Sequence, residues 1–444
     1  MTELTKQNPI VITTDKRNMS QPSIPGGLKW QTDPNPMDKS EKGNFLPNLS
    51  NARRMVTQHP LLSDCFGWSE MDEDVMIMRE LPWFEGIAPP RSLCGYPCRM
   101  EDKYVTYLRD LMSSVLDCNF NRNDVMQACS IAGMQRTYNP IRQYLQSLTW
   151  DEQPRITEWL KLGFGAADTS LNSSIAFMFL IAAVRRVIFR RYKFDSMLVL
   201  EGAKGIMKSS GVRELFGHEY FLEGIADIRR DQTVQLLAGM WGVEIPEGKG
   251  FIDADAATQK EFLSKVEDTY RRPFAIRPVT VPRSVVFIMT TNEHMYMNDG
   301  SGDRRFWNVL CNVTQAPDME WIKTNRDQLW AEAYHMATQR NEDGSLRYKT
   351  YMEPSEMESL TAEQESRVTI DPWEDVIRGY LSVEPGANQK EISSAVLFRD
   401  VLDLPIDRQD RKAAMKVGRI MQDLGWGRRQ RRNGTSREWV YARE

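Results

Sequence analysis

The sequence predicts an α/β protein built on a parallel sheet, with a helical region before it and a small basic domain after it. Three observations carry this. Continuous apolar runs at residues 197–200, 240–245 and 284–292 are separated by helix-patterned segments. Such runs with helical crossovers belong to parallel strands covered on both faces. Each run closes in polar groups: a glycine-bearing loop, Glu244 with Glu247, and Asn292. From Pro372 onward the pattern changes to three helices and an arginine-rich hairpin.

The bulk numbers bound the rest. A chain of 444 residues, 41% hydrophobic and 27% charged, has room for about two to four globular domains. Its net charge of −4 does not by itself advertise a nucleic-acid binder. No apolar run approaches the roughly 18–20 residues of a bilayer span, and residues 1–15 lack the apolar core of a signal peptide. A cytoplasmic protein with no membrane partner is expected. The six cysteines are scattered, which argues against a disulfide framework. Cys94 and Cys98 are spaced loosely like zinc ligands, but no second pair follows them, so no zinc site is expected.

Residues 1–45 are rich in Pro, Asn, Ser, Gln and Lys and read as a disordered arm. Residues 46–150 read as a helical N-terminal domain, with apolar residues at helical spacing in 105–116 and 123–132. Residues 151–192 form a helical collar. Its main helix, 175–189, is strongly apolar, is interrupted by Arg185 and Arg186, and falls short of a membrane span. Residues 193–340 hold the sheet, with a helix at 209–216, a second at 258–269 and a third at 321–336. Residues 341–371 are polar and acidic, a linker with one helix. In 372–444, helices at 373–381, 393–401 and 407–424 precede two strands around Asn433-Gly434, a strong hairpin signal. Three helices and a hairpin make a winged-helix pattern.

The chemistry centres on Gly202-Ala203-Lys204-Gly205-Ile206-Met207-Lys208-Ser209-Ser210, which lies between the first strand and a helix. That setting is a phosphate-binding loop, or P-loop, whose backbone N–H groups point at an anion on a helix N-terminus. Lys208 is placed to reach the β- and γ-phosphates of ATP and Ser209 to hold Mg²⁺. Met207 stands where the usual pattern has a second glycine, and a side chain there is expected to crowd a phosphate. Glu244 lies inside an apolar strand, where an unpaired acid is costly, which favours a metal role. Glu247, just past Pro246, is a candidate to polarise the attacking water, and the division of tasks between the two acids stays open. Asn292 is a candidate contact to the γ-phosphate or the water. Arg304 or Arg305 is a candidate arginine finger, inserted into a neighbour's site across a head-to-tail interface. Arg271, Arg272, Arg277 and Arg283 flank a possible hairpin that would grip single-stranded DNA in a ring's channel. In the last domain, Lys416 with Arg408, Arg411, Lys412 and Arg419 lines the long helix, and Arg428, Arg429, Arg431, Arg432 and Arg437 decorate the hairpin. A basic helix and a basic wing fit groove and phosphate contacts.

On these residues the chain resembles the virulence-associated E family, phage- and prophage-borne P-loop ATPases related to superfamily 3 helicases and hence to the AAA+ class. The resemblance runs from Leu46 to Cys311. It rests on Pro140, Tyr144-Leu145, Trp150-Asp151, Pro154-Arg155, Lys193-Phe194-Asp195, Leu200-Glu201-Gly202, Gly205, Lys208-Ser209, Trp241, Glu244, Glu247, Thr290-Thr291-Asn292 and Gly302-Asp303-Arg304-Arg305-Phe306-Trp307. It implies an ATP hydrolase that acts as an oligomeric ring, a hexamer, on single-stranded or forked DNA during phage or mobile-element replication in a bacterial host. It also implies nucleotide contacts by Lys208 and Ser209, an acidic pair at Glu244 and Glu247, a sensor at Asn292 and a finger at Arg304 or Arg305. No primase acids or zinc ribbon stand upstream, so priming would need a separate protein. A non-unwinding replication initiator or loader is the alternative, and a nucleotide-binding interaction protein with little turnover is a third reading.

Overall fold

The structure is a computed structural model that describes residues 37–443, apart from 85–86, 93–94, 226, 249, 253, 272–276, 293–303, 366–371, 385 and 434–435. The chain divides into two compact units, with the boundary near residue 363.

The first unit begins with α1 (Leu49–Gln58), capped by Asn48, whose side chain accepts from the Asn51 N–H. The expected disordered arm does not extend to residue 45. Met37 is buried, and Asp38 pairs with Arg54 at 2.8 Å, so residues 37–45 pack on α1. Then come β1 (Phe66–Ser69), β2 (Asp74–Ile77), β3 (Cys98–Arg99), α2 (Asp102–Leu116), α3 (Arg122–Met134) and β4 (Thr137–Tyr138). The region expected to be helical therefore also holds a four-stranded sheet, ordered β3-β2-β1-β4. Its strands are two to four residues long, too short to print a period-2 pattern. Gly133 on α3 lies so close to Gly67 on β1 that a Cβ would meet the Gly67 carbonyl at 2.7 Å.

Helix α4 (Pro140–Ser147) precedes the collar, which is α5 (Trp159–Phe164) and α6 (Ser170–Ile188). Asn139 caps α4 and Pro140 opens it; Thr169 caps α6. Helix α6 has 19 residues and a mean hydropathy of 1.6, which corrects the shorter helix expected. By length and composition it is sufficient to cross a membrane, but 72% of that stretch is buried inside the protein. Helix α6 packs against its neighbours α4 and α5 and against α10 (Met319–Thr338), which follows the sheet.

That sheet is five-stranded and parallel throughout. It comprises β5 (Met197–Glu201), β6 (Phe221–Glu223), β7 (Gly242–Pro246), then, after the antiparallel hairpin β8 (Glu267–Tyr270) and β9 (Val279–Pro282), β10 (Val286–Thr291) and β11 (Phe306–Leu310). Spatial order is β11-β5-β10-β7-β6. Three of the five match the apolar runs; β6 and β11 are additional. Helices α7 (Lys208–Phe216), α8 (Asp231–Leu237), α9 (Ala256–Ser264) and α10 (Met319–Thr338) complete the layer. The helix expected over 258–269 ends at Ser264, and 267–270 pairs with β9 as a strand. Trp241 and Trp330 lie with ring centroids 4.1 Å apart, and both are fully buried. Trp241 donates to the Ala183 carbonyl at 2.9 Å and Trp330 to the Leu215 carbonyl at 2.8 Å. Each therefore buries its ring without leaving its N–H orphaned. Helix α11 (Pro354–Glu365) lies in the stretch read as a linker.

The second unit holds α12 (Pro372–Ser382), β12 (Glu391–Ser393), a helical stretch from α13 (Ser394–Val396) into a π-turn at Leu397–Val401, then α14 (Arg411–Asp423), β13 (Trp426–Asn433) and β14 (Ser436–Arg443). Asp410 caps α14 through the Ala413 N–H, so the long helix starts later than expected, and Arg408 falls in a preceding 3₁₀ turn. A three-stranded sheet, β12-β14-β13, closes the unit.

Candidate functional site

The carboxyl ends of β5, β10 and β7 bring the candidate residues together. In β10, Thr291 pairs with Glu201 of β5 and Ile288 with Glu244 of β7, so the three strands end side by side. The loop leaving β5 turns on Gly202 and Gly205, both at positive φ; a Cβ on Gly205 would meet nothing within 4 Å, which leaves an open cradle. Met207 closes the loop at φ 62°, ψ 29°, a left-handed conformation. A non-glycine residue there stores about 1 kcal/mol of strain. Met207 is 50% exposed. Helix α7 has no side-chain N-cap, which is also true of α2, α5 and α8. The first-turn N–H groups of α7 thus have no capping side chain. Ala203 and Lys204 are exposed, and Ile206 and Ser210 are half-buried.

Lys208 is buried, with its amine 2.6 Å from the Gly202 carbonyl, 3.1 Å from the Ala203 carbonyl and 3.1 Å from Asn292 Oδ1. Burial lowers its pKa from the ordinary lysine value, against the opposing pull of Cys311, Glu247 and Glu244. The Ser209 hydroxyl donates to Glu244 Oε1 at 2.5 Å, and so does Thr290 Oγ1, also at 2.5 Å. Glu244 is 3% exposed and is held by hydroxyls rather than by a cation. Asn292 Nδ2 donates to Glu247 Oε1 at 2.5 Å, and the Asn292 N–H to Oε2 at 3.3 Å. Glu247 itself sits at φ 54° and donates its N–H to the Thr290 carbonyl at 2.6 Å. Backbone strain at this acid accompanies its place at the site. Sequence reasoning missed Thr290 as a second hydroxyl on Glu244; the only signal was its place in Thr290-Thr291-Asn292. It also missed Cys311, which packs beneath Gly202 and whose thiol burial pushes up to about 12.

Arg304 and Arg305 are not at this cluster. They precede β11, and the Arg305 carbonyl accepts from the Met197 N–H at the amino end of β5. Arg304 pairs with Asp195 at 2.9 Å and is half-exposed; Arg305 is 3.9 Å from the same carboxylate and mostly covered. The four residue steps of β5 place them roughly 13 Å or more from their own loop.

The basic residues separate into groups. Arg271 and Arg277 are exposed beyond the ends of the β8–β9 hairpin, and Arg272 lies outside the described residues. Arg283 is a correction. It is 3% exposed, its Nε donates to Asp268 at 2.8 Å, and its guanidinium lies over the Phe262 and Phe287 rings. It is a core ion pair with no surface to offer a phosphate backbone. In the second unit, Lys416 lies over Trp373 at 4.4 Å and Arg428 over Trp439 at 4.1 Å. Arg429 and Arg431 both pair with Glu391, which neutralises part of the wing, while Arg432 is exposed. The Arg437 side chain lies outside the described residues.

The fold and site thus define a mixed α/β protein with a polar cluster at the carboxyl edge of a parallel sheet. A family model for the virulence-associated protein E-like domain matches residues 145–369, and the chain belongs to that family. The match runs from within α4 to beyond α11 and takes in the entire parallel sheet. No curated protein sequence matches the chain. Two apo structures of the NrS-1 C-terminal region are similar to it at 11% identity, covering 85% of this chain and 96% of theirs, with TM-scores of 0.42 and 0.43.

Proposed function

We propose that the protein is an ATP-dependent motor that works as a ring, a hexamer, on single-stranded or forked DNA in phage or mobile-element replication, within the cytoplasm of a bacterial host. One observation carries this reading: Lys208, Ser209, Glu244, Glu247 and Asn292 converge where three neighbouring parallel strands end. Open parallel sheets bind ligands at that edge. The residues fit a magnesium nucleotide. The Gly205 cradle is open, α7 is uncapped, Lys208 offers a buried amine, and Ser209 with Glu244 is a hydroxyl–carboxylate pair of the kind hard cations take. In this reading the loop is a P-loop, Lys208 holds the β- and γ-phosphates, and Ser209 and Glu244 hold Mg²⁺. Bound MgATP supplies a phosphoryl group whose transfer to water releases the free energy for movement.

Glu247 accepts the proton of the attacking water or orients it, and Asn292 ties that carboxylate to the Lys208 amine. Arg304, the more exposed of its pair, is too far from its own loop to serve it. It therefore completes a neighbour's site, which requires a head-to-tail closed assembly. The β8–β9 turn, with Arg271, Arg272 and Arg277, lines the channel. The second unit is read as a winged helix that meets DNA through Lys416, Arg428 and Arg432, with Arg429 and Arg431 available once Glu391 releases them. Priming is left to a separate protein.

The test is ATP turnover with and without single-stranded DNA, beside mass measurement of the assembly. The expected result is DNA-stimulated turnover in a ring, reduced at least about a hundredfold in Lys208→Ala. Wild-type turnover in that variant, or a monomer indifferent to DNA, sinks the reading. Turnover that assembles the ring on duplex DNA without strand separation selects the loader instead.

A further inference from the structure

The two carboxylate oxygens of Glu244 have different surroundings. Oε1 accepts two hydroxyl protons, from Ser209 and from Thr290, each at 2.5 Å. Among the described residues no donor reaches Oε2. Glu244 is 3% exposed, so these hydroxyls help offset the cost of burying its charge. With Oε1 occupied twice, Oε2 is the oxygen with lone pairs to spare.

The two hydroxyls are not equivalent. Ser209 belongs to the first turn of α7, and the nucleotide reading gives its oxygen to Mg²⁺. Thr290 has no such second task. It stands on β10, which is paired on both sides, in register with Leu200 of β5 and Pro246 of β7. At 5% exposed it has little surface with which to meet a ligand. A threonine carries two heavy atoms on its Cβ, which stiffens χ1. The Thr290 hydroxyl is therefore a fixed point, on the central strand, for a carboxylate carried on a long rotatable side chain.

We propose that Thr290 is a positioning residue: its hydroxyl pins Oε1 of Glu244 and so keeps Oε2 free to take Mg²⁺ when nucleotide binds. This rests on the nucleotide reading of the loop, and adds to it a residue that acts only through Glu244. Outer-shell partners of a ligating side chain typically carry about ten- to a hundredfold in metal affinity.

The test measures the affinity of the full-length chain for a non-hydrolysable ATP analogue, once with excess EDTA and once with Mg²⁺. The ratio of the two is the gain due to the metal. Thr290→Val keeps the shape and removes the hydroxyl, Thr290→Ala removes it with less volume in its place, and Thr290→Ser keeps it. The valine and alanine variants are expected to lose about tenfold or more of the metal-dependent gain, with affinity in EDTA within about twofold of the unaltered chain, while the serine variant keeps the gain within about threefold. A gain unchanged within about twofold in the valine and alanine variants overturns the proposal. An equal fall with and without metal, as a purely structural hydroxyl would give, also overturns it, and so does a serine variant that behaves like the valine one. Failure of the underlying reading looks different. There the unaltered chain shows no saturable binding in either condition, or binding that gains nothing from Mg²⁺, and the role of Thr290 falls with it.

Discussion

Lys208 shows how one side chain is poised by its surroundings. Its amine is stripped of water and caps the carbonyls of its own loop, so the charged form is disfavoured relative to a free lysine. The folded-state pKa lies below the ordinary lysine value of 10.5, so between the two the folded chain holds fewer protons than the unfolded one, and stability rises with pH across that window. Phosphate binding runs the other way, since it needs the cation. Nucleotide affinity is therefore expected to weaken at alkaline pH below the range of an ordinary lysine, and Lys208→Arg should remove that alkaline limb. An identical pH profile in both chains would contradict the assignment. The loop was legible in the sequence because glycines, Lys208 and Ser209 are local. The left-handed conformation of Met207 was not, because a non-glycine residue there gives no local sign of it.

Among the strands, those with nearly unbroken apolar runs were readable and the others were not. Strands β5, β7 and β10 are nearly unbroken apolar runs. Strand β11 carries Asn308 in its middle, buried and donating to Glu201 at 3.0 Å, and that polar residue hides the run. Strand β6 has three residues, too few for any periodicity. Strand β8 follows α9 after two residues, and its polar Glu267-Asp268-Thr269 reads as a continuing helix until β9 pairs with it. Helix α10 was legible, but its anchoring role was not. Glu332 is 1% exposed and accepts the Arg155 N–H at 2.7 Å and the Ile156 N–H at 2.9 Å, which fixes the entry of the collar. Replacing Glu332 with Ala leaves two N–H groups unmet and should cost about 2–3 kcal/mol in chemical denaturation. A change under about 0.5 kcal/mol would mean that the collar entry is held by other contacts.

At the scale of the whole molecule, the separation of Arg304 from the loop is the feature with most leverage. Chains with Lys208→Ala and chains with Arg304→Ala are each expected to be inactive alone. Mixed, they form some interfaces with an intact lysine from one copy and an intact arginine from the next, so partial turnover should return. No recovery, despite mixed assembly verified by mass, would place the arginine outside the reaction. The sequence could name Arg304 but not its distance from the loop, because that distance depends on strand order, which only the assembled sheet sets. Helix α6 carries a different consequence, for biosynthesis. Its apolar surface leaves the ribosome about 150 residues before α10, which covers one side of it, is complete. At ordinary translation speeds the nascent chain carries that side of the helix uncovered for roughly 8–30 s. A polypeptide terminated at residue 318 should accordingly pellet or remain chaperone-bound, and one that stays dispersed like the full chain would show that the sheet alone is sufficient shelter.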